Sequence, residues 1–211
     1  MPRLTLIFDF DSTLARSLPE VKKIFLEIAL ELNYPADQKM INRLIHRETK
    51  EIIKEVKLPL WKLPKIERLF RLKMEKSIEK IKPFPEMKSI LPKVKEQGYR
   101  LGILTSNNKK NVERFLKKHH LEDYFDFIDG GSSFFGKAKK LKKLLRKEKL
   151  ERNEAVYIGD EVRDIQAAQK IKMRVIAVGW GVNPPQLLLK YQPDFLAKKP
   201  KDLLKILNKI C

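Results

Sequence analysis

The chain has 211 residues, enough for one domain or for one domain carrying a modest insertion. Apolar residues make up 43% and charged residues 35%, with 8 Gly and 12 Pro, which excludes the disordered, collagen-like and low-complexity classes. Forty-six Lys and Arg against 27 Asp and Glu leave +19, so a phosphorylated substrate or a nucleic acid stays open as a partner. The single cysteine, Cys211, cannot form an internal disulfide, and no apolar run approaches the roughly 18 residues of a membrane span. Asp9 cuts short the apolar opening that a signal peptide needs. The expectation is a soluble, cytoplasmic chain.

Residues 4–8 read as a short buried strand ending at Asp9. Residues 17–82 then carry three apolar stripes at helical spacing. They run from Leu18 to Leu32, from Met40 to Val56, and from Ile66 to Ile81 behind Pro64, with Asn33-Tyr34-Pro35 and Leu58-Pro59 between them. After Pro83 and Pro85, a helix over 86–97 stops at Gly98, a strand follows at 100–104, and a helix starts near Asn108. Further strands are expected at 127–128, 155–158 and 174–178, with helices near 137–149 and 163–172. This alternation predicts an α/β fold: a three-layer, Rossmann-like parallel sheet with a small all-helical cap inserted after the first strand. The expected division is 1–16 and 83–211 for the core and 17–82 for the cap.

Parallel α/β sheets place ligands at the carboxyl ends of their strands, and four expected strand ends carry polar clusters. Asp9-Phe10-Asp11 puts two carboxylates on one side of an extended segment, which suits a divalent metal or a nucleophile and acid pair. Thr105-Ser106-Asn107 closes a strand at a helix N-terminus, an arrangement that binds an anion or simply caps the helix. Lys137 heads the basic run 137–152, where nine bases meet two acids and most of the lysines read as a solvated helix face. Asp160 and Asp164, four apart in Gly159-Asp160-Glu161-Val162-Arg163-Asp164, share a face if the chain turns helically there, and with Asp9 and Asp11 they offer the all-oxygen surroundings Mg²⁺ prefers.

DFDSTL at 9–14, TSN at 105–107, Lys137 and GDEVRD at 159–164 resemble the four motifs of the haloacid-dehalogenase-like hydrolases, over nearly the whole chain. The arrangement is most similar to the phosphoglycolate-phosphatase-like group, which has a helical cap after the first motif. The resemblance implies a Mg²⁺-dependent phosphatase acting on a small phosphate monoester through an aspartyl-phosphate. Asp9 would be the nucleophile and Asp11 the general acid and base. Asp9, the Asp11 carbonyl, Asp160 and Asp164 would hold the metal, and Thr105, Ser106, Asn107 and Lys137 the phosphoryl group. Two departures stand out. Ala138 replaces the Pro that commonly follows the lysine, leaving Lys139 and Lys140 as competitors, and Ser12 stands where Gly is more usual.

Two alternatives follow from the charge: a phosphatase of nucleotides or nucleic-acid ends, and a non-catalytic nucleic-acid-associated protein on the same scaffold. In the cap, Trp61 and Lys62 lie between prolines. They either face the substrate or, in the commoner use of a tryptophan, pack inside the cap. His46, His119 and His120 lack metal-ligand spacing, and Trp180 reads as packing.

Overall fold

The computed structural model describes residues 4–47, 49–131 and 136–210; Cys211 lies outside the described residues. Six parallel strands form one sheet in the order β3-β2-β1-β4-β5-β6. They are β1 (Thr5–Phe8), β2 (Arg100–Leu104), β3 (Phe127–Asp129), β4 (Ala155–Gly159), β5 (Arg174–Val178) and β6 (Phe195–Ala197). In the central strand, residues 5–8 are all buried, and successive side chains serve opposite layers. Leu6 and Phe8 join an apolar cluster with α5 (Met87–Glu96), α6 (Lys109–His119) and α10 (Asp202–Ile210). Ile7 joins another with α7 (Lys137–Lys147) and α8 (Val162–Lys170). Strands buried on both faces read as continuous apolar runs, which is why residues 4–8 and 174–178 were legible.

Between β1 and α5 the described residues include four α-helices: α1 (Leu18–Glu31), α2 (Gln38–Leu44), α3 (Thr49–Glu55) and α4 (Leu63–Ser77). The second expected stripe therefore breaks into two helices. Its apolar positions skip from Ile45 to Ile52, nearly two turns, and in that gap the chain leaves its helix to meet the core. His46 Nδ1 lies 2.5 Å from the Val182 carbonyl, and Asn183 Nδ2 donates to the His46 carbonyl at 3.1 Å. The helical insert is stitched to the sheet end by these bonds. It is also anchored by an apolar face, since Val21, Ile24, Ile28 and Met74 belong to the same cluster as β1.

The last elements, α9 (Pro185–Lys190), β6 and α10, were not anticipated. A three-residue strand shows no usable period, and β6 is held partly by a side chain, the Val175 N–H donating to Asp194 Oδ2 at 2.8 Å. Among the described residues no helix is long and apolar enough to cross a membrane.

Candidate active site

The chain winds from β1 to β2 on one side and to β4 on the other, so β1 and β4 flank the point where the strand order reverses, the usual ligand crevice of such sheets. Phe8 lies beside Ile158 in the ladder, and the Asp9 N–H extends it by donating to the Ile158 carbonyl at 2.8 Å. Asp9 and Asp160 thus leave adjacent strands side by side. One helical turn later comes Asp164. Its Oδ2 accepts the Glu161 N–H at 3.0 Å, a capping box that fixes the start of α8 and turns the carboxylate inward. The three buried carboxylates each offer an oxygen within 4.8 Å of the others.

Asp160 is held by two donors, the Thr13 hydroxyl at 2.8 Å and the Val182 N–H at 2.7 Å. Lys137 enters the cluster from α7. Its ammonium lies 3.0 Å from Asp9 Oδ2, bonds Asp164 Oδ1 closely, and sits 5.2 Å over the Tyr157 ring. Lys139 is exposed, and Lys140 instead bonds Asp129 at 2.8 Å and the Gly130 carbonyl at 2.7 Å, so of the three competing lysines only Lys137 reaches the acids.

Three buried carboxylates against one ammonium leave negative charge uncompensated in a dry place. Burial pushes the Asp9 carboxyl up to about 7 despite the pull of Lys137, and burial with Glu161 and Asp164 nearby lifts Asp160 well above the carboxylate range. Burial also opposes the Lys137 charge, but Asp164 and Asp9 outweigh it and raise its affinity for the proton. Buried hard oxygen donors with excess negative charge fit a divalent cation such as Mg²⁺.

Asp11 stands apart from this cluster. Its Oδ2 accepts from Asn107 Nδ2 at 3.1 Å, while Oδ1 is buried with no hydrogen-bond partner among the described residues. Burial raises its pKa, with the nearby Ser17 hydroxyl and the Asn107 amide pulling the other way. A carboxyl inclined to keep a proton, with one oxygen uncommitted, is suited to donating it. Asn107 is itself braced, its Oδ1 accepting from the Asn108 N–H at 2.8 Å and from Asn111 Nδ2 at 3.0 Å, so its amide orients Asp11. Thr105 is buried, its Oγ1 accepting the Asn107 N–H at 3.0 Å, and Ser106 is half-buried and lines the same cavity as Asp11. Ser12, where glycine is more usual, adopts φ 59°, the left-handed conformation that glycine enters most easily.

A cavity of about 180 Å³ opens above these groups, lined by Asp11, Ser12, Ser106, Glu161 and Arg163 from the sheet end and by apolar side chains of the helical insert together with Arg47 and Glu67. Arg163 and Glu161, paired at 2.5 Å, lie inside the GDEVRD motif but were not singled out from sequence, where any charged pair at a helix start reads as capping. Trp61 and Lys62 are not brought to this cavity. Trp61 is 76% exposed, so it does not plug the interior of the insert as the packing reading held. Lys62 lies 5.1 Å over the Tyr34 ring and 5.4 Å over that of Trp61; the pair forms a surface cation–π cluster. Leu58 and Leu63, from the same connection, line the cavity instead. Trp180 does pack, edge-on against Phe84, with its N–H donating to the Thr13 carbonyl at 3.1 Å.

Two glycines leave room for the cluster, Gly159 beside Asp164 and Gly181 beside Asp160. A Cβ on Gly181 would lie 2.2 Å from Asp160 Cβ, so that neighbour would have to move. Gly181→Ala should lower kcat by about 10²-fold, since ångström-scale misplacement costs that much, with the melting temperature falling only modestly. Steady-state kinetics beside a thermal melt checks this; unchanged kcat would mean Asp160 does not need its present position.

A Rossmann-like sheet whose reversal point carries an acidic cluster, a buried lysine and an overlying helical insert defines a class of α/β hydrolase. The chain belongs to the haloacid dehalogenase-like hydrolases, whose family pattern matches residues 6–178. It is 30% identical over 206 residues to a phosphoglycolate phosphatase from Synechococcus elongatus, covering 97% of each chain. Against a pyrophosphatase from Bacillus thuringiensis it is 27% identical over 217 residues, covering 97% of this chain and 96% of the other. A solved haloacid dehalogenase-like hydrolase from Streptococcus pneumoniae superposes with a TM-score of 0.81 at 25% identity, over 97% of this chain and 98% of that one. Within the family the chain falls in the phosphoglycolate-phosphatase-like group and is an enzyme of the phosphatase kind.

Proposed function

We propose that this enzyme hydrolyses a small phosphate monoester, of phosphoglycolate-like size, in a Mg²⁺-dependent reaction that passes through an aspartyl-phosphate on Asp9. The supporting observation is the pairing of two unlike carboxyls. Asp9 is clustered with Asp160 and Asp164 and lies 3.0 Å from the Lys137 ammonium, whereas Asp11 sits outside that cluster with a raised pKa. An Asp9 oxygen attacks phosphorus, and the ester P–O bond breaks with its electron pair going to the alcohol oxygen, which takes the Asp11 proton. Water then attacks phosphorus while returning a proton to Asp11, and the bond to Asp9 breaks to release phosphate and a free carboxylate. Asp9, the Asp11 carbonyl, Asp160 and Asp164 would hold Mg²⁺, which supplies charge neutralisation for the phosphoryl oxygens. Lys137, Thr105 and Ser106 would hold those oxygens, with Asn107 orienting the acid.

In this reading residues 1–16 and 83–211 form the catalytic core and 17–82 the cap that excludes water. A cytoplasmic location goes with a chain carrying one cysteine. The test is a panel of phosphate esters, phosphoglycolate, pyrophosphate and nucleotides included, assayed with Mg²⁺ and with a chelator. Chelation should cost about 10³-fold or more in kcat for every active ester; equal rates in both conditions would overturn the metal dependence.

The second reading, action on nucleotides or nucleic-acid ends, or binding of nucleic acid without catalysis, draws on an open groove of about 440 Å³ lined by Lys142, Arg146, Arg152, Lys170 and Lys172. Arg152 and Lys172 precede β4 and β5, so this groove lies at the amino ends of the strands, away from Asp9. Its cations cannot assist the site, and several complete the C-terminal turns of α7 and α8, which favour positive charge.

A further inference from the structure

The helical insert holds a second cavity, of about 330 Å³, between α1, α2, α3 and α4. Its walls are largely apolar, and Leu32, Met40, Ile41, Leu44 and Val56 line it without lining the cavity over Asp11. Leu32, Met40, Ile41 and Val56 are only half-buried, so this cavity opens to solvent, and an apolar cavity of about 150 Å³ already accepts benzene. A chamber of this size is in the range of ligand pockets. Five side chains, Phe25, Ile45, Ile52, Leu58 and Ile66, line both this chamber and the cavity over Asp11, so the two abut across shared apolar side chains, with the Arg47–Glu55 pair also spanning from one to the other.

The charges at the two cavities argue against a second anionic group on the substrate. At the first, Arg163 is engaged by Glu161 at 2.5 Å and Arg47 by Glu55 at 2.6 Å, while Glu67 holds Arg71 at 2.5 Å. At the second, the charged lining residues are Glu55, which also binds Arg43 at 2.6 Å, and Lys57, which is exposed at the edge. A carboxylate or second phosphate reaching from Asp11 toward the insert would meet arginines whose charge is already balanced by glutamates, or the shared hydrocarbon. An alkyl or aryl group meets neither cost.

We propose that the substrate is the phosphate monoester of an apolar, uncharged alcohol, whose hydrocarbon lies against Phe25, Ile45, Ile52, Leu58 and Ile66 and extends toward the chamber inside the insert. This rests on the phosphatase reading of Asp9 and departs from the phosphoglycolate-like size given above only in the alcohol half of the substrate. Binding hydrocarbon remote from phosphorus gives the enzyme selectivity without another charged contact, because the contribution of each buried methylene is carried into the transition state.

The test uses the full chain with Mg²⁺ and compares ethyl, butyl and hexyl phosphate with phosphoglycolate and with a hexyl phosphate ending in a carboxylate. Expected is a rise in kcat/KM of about two- to fourfold per methylene from ethyl to hexyl, with both carboxylate-bearing esters below the neutral ester of similar length. Ile52→Glu, which places a charge on the shared wall, should shrink the hexyl-to-ethyl ratio about tenfold or more. If that variant does not fold, the wild-type series decides alone. A flat series alongside good hydrolysis of phosphoglycolate, or a carboxylate-bearing ester that outperforms its neutral counterpart, overturns this inference and leaves the phosphatase reading standing. No hydrolysis of any ester overturns both.

Discussion

Asp9→Asn should lower kcat by about 10⁴ or more while the protein stays folded, because the amide keeps the shape of the side chain and loses the negative charge of the oxygen that attacks phosphorus. Asp9 is 2% exposed and its neighbours are set by the β1–β4 ladder, so the substitution has little room to disturb the backbone. The metal-free variant should in addition be no less stable than the wild type at neutral pH. Burial holds the Asp9 carboxyl at about 7 against an ordinary value of 3.8, so the folded state binds that proton more tightly than the unfolded chain does. Such a group stabilises the fold below pH 4 and loses that contribution as the pH rises through 7. The difference in melting temperature, variant minus wild type, should therefore grow from pH 4 to pH 7 in the presence of a chelator. Near-wild-type turnover in a clean preparation of Asp9→Asn would end the covalent mechanism, and a difference that shrinks over that pH range would mean Asp9 is ionised without cost.

Much of the site was readable because its residues sit where local patterns change. Asp9 and Asp11 follow an apolar strand, Thr105 to Asn107 separate a strand from a helix cap, and Asp160 and Asp164 bracket another such transition. The motif alone leaves Lys137 in competition with Lys139 and Lys140, yet the periodicity of α7 sets Lys139 apart. Lys137, Leu141, Leu144 and Leu145 are spaced as one helical face and all four are buried, while Lys139 falls on the solvent side. What stayed hidden depends on contacts far apart in sequence. His46 meets Val182 across 136 residues, and no local signal distinguishes a histidine that bridges two layers from one in solvent. Trp61 failed for a related reason. A lone aromatic between prolines has no period, so the general preference of tryptophan for interiors was the only guide, and here the ring lies exposed against Lys62. The break between α2 and α3 was available as the missing apolar positions between Ile45 and Ile52.

Lys137→Ala should damage both catalysis and stability, and the joint loss distinguishes it from the other lysines of the basic run. Its ammonium is 5% exposed, lies 3.0 Å from Asp9 and bonds Asp164, so truncation leaves two buried carboxylates facing each other without their cation. Removing one partner of a buried pair typically costs about 3–5 kcal/mol. Because Asp9 and Asp164 would then repel, added Mg²⁺ should raise the melting temperature of the variant more than that of the wild type. In catalysis, loss of one preorganised cation at the phosphoryl group should lower kcat/KM by about 10²- to 10³-fold. Lys139→Ala and Lys140→Ala provide the contrast. Lys139 is exposed, and Lys140 is 24% exposed with its ion pair to Asp129 near the surface, so each should cost no more than about 1 kcal/mol and change kcat/KM by about twofold or less. The three variants are to be compared by thermal melts with and without Mg²⁺ and by initial rates on one ester. Equal small losses at all three would remove Lys137 from the phosphate site. A stability loss at Lys137 without the catalytic one would leave it only the task of neutralising Asp9 and Asp164.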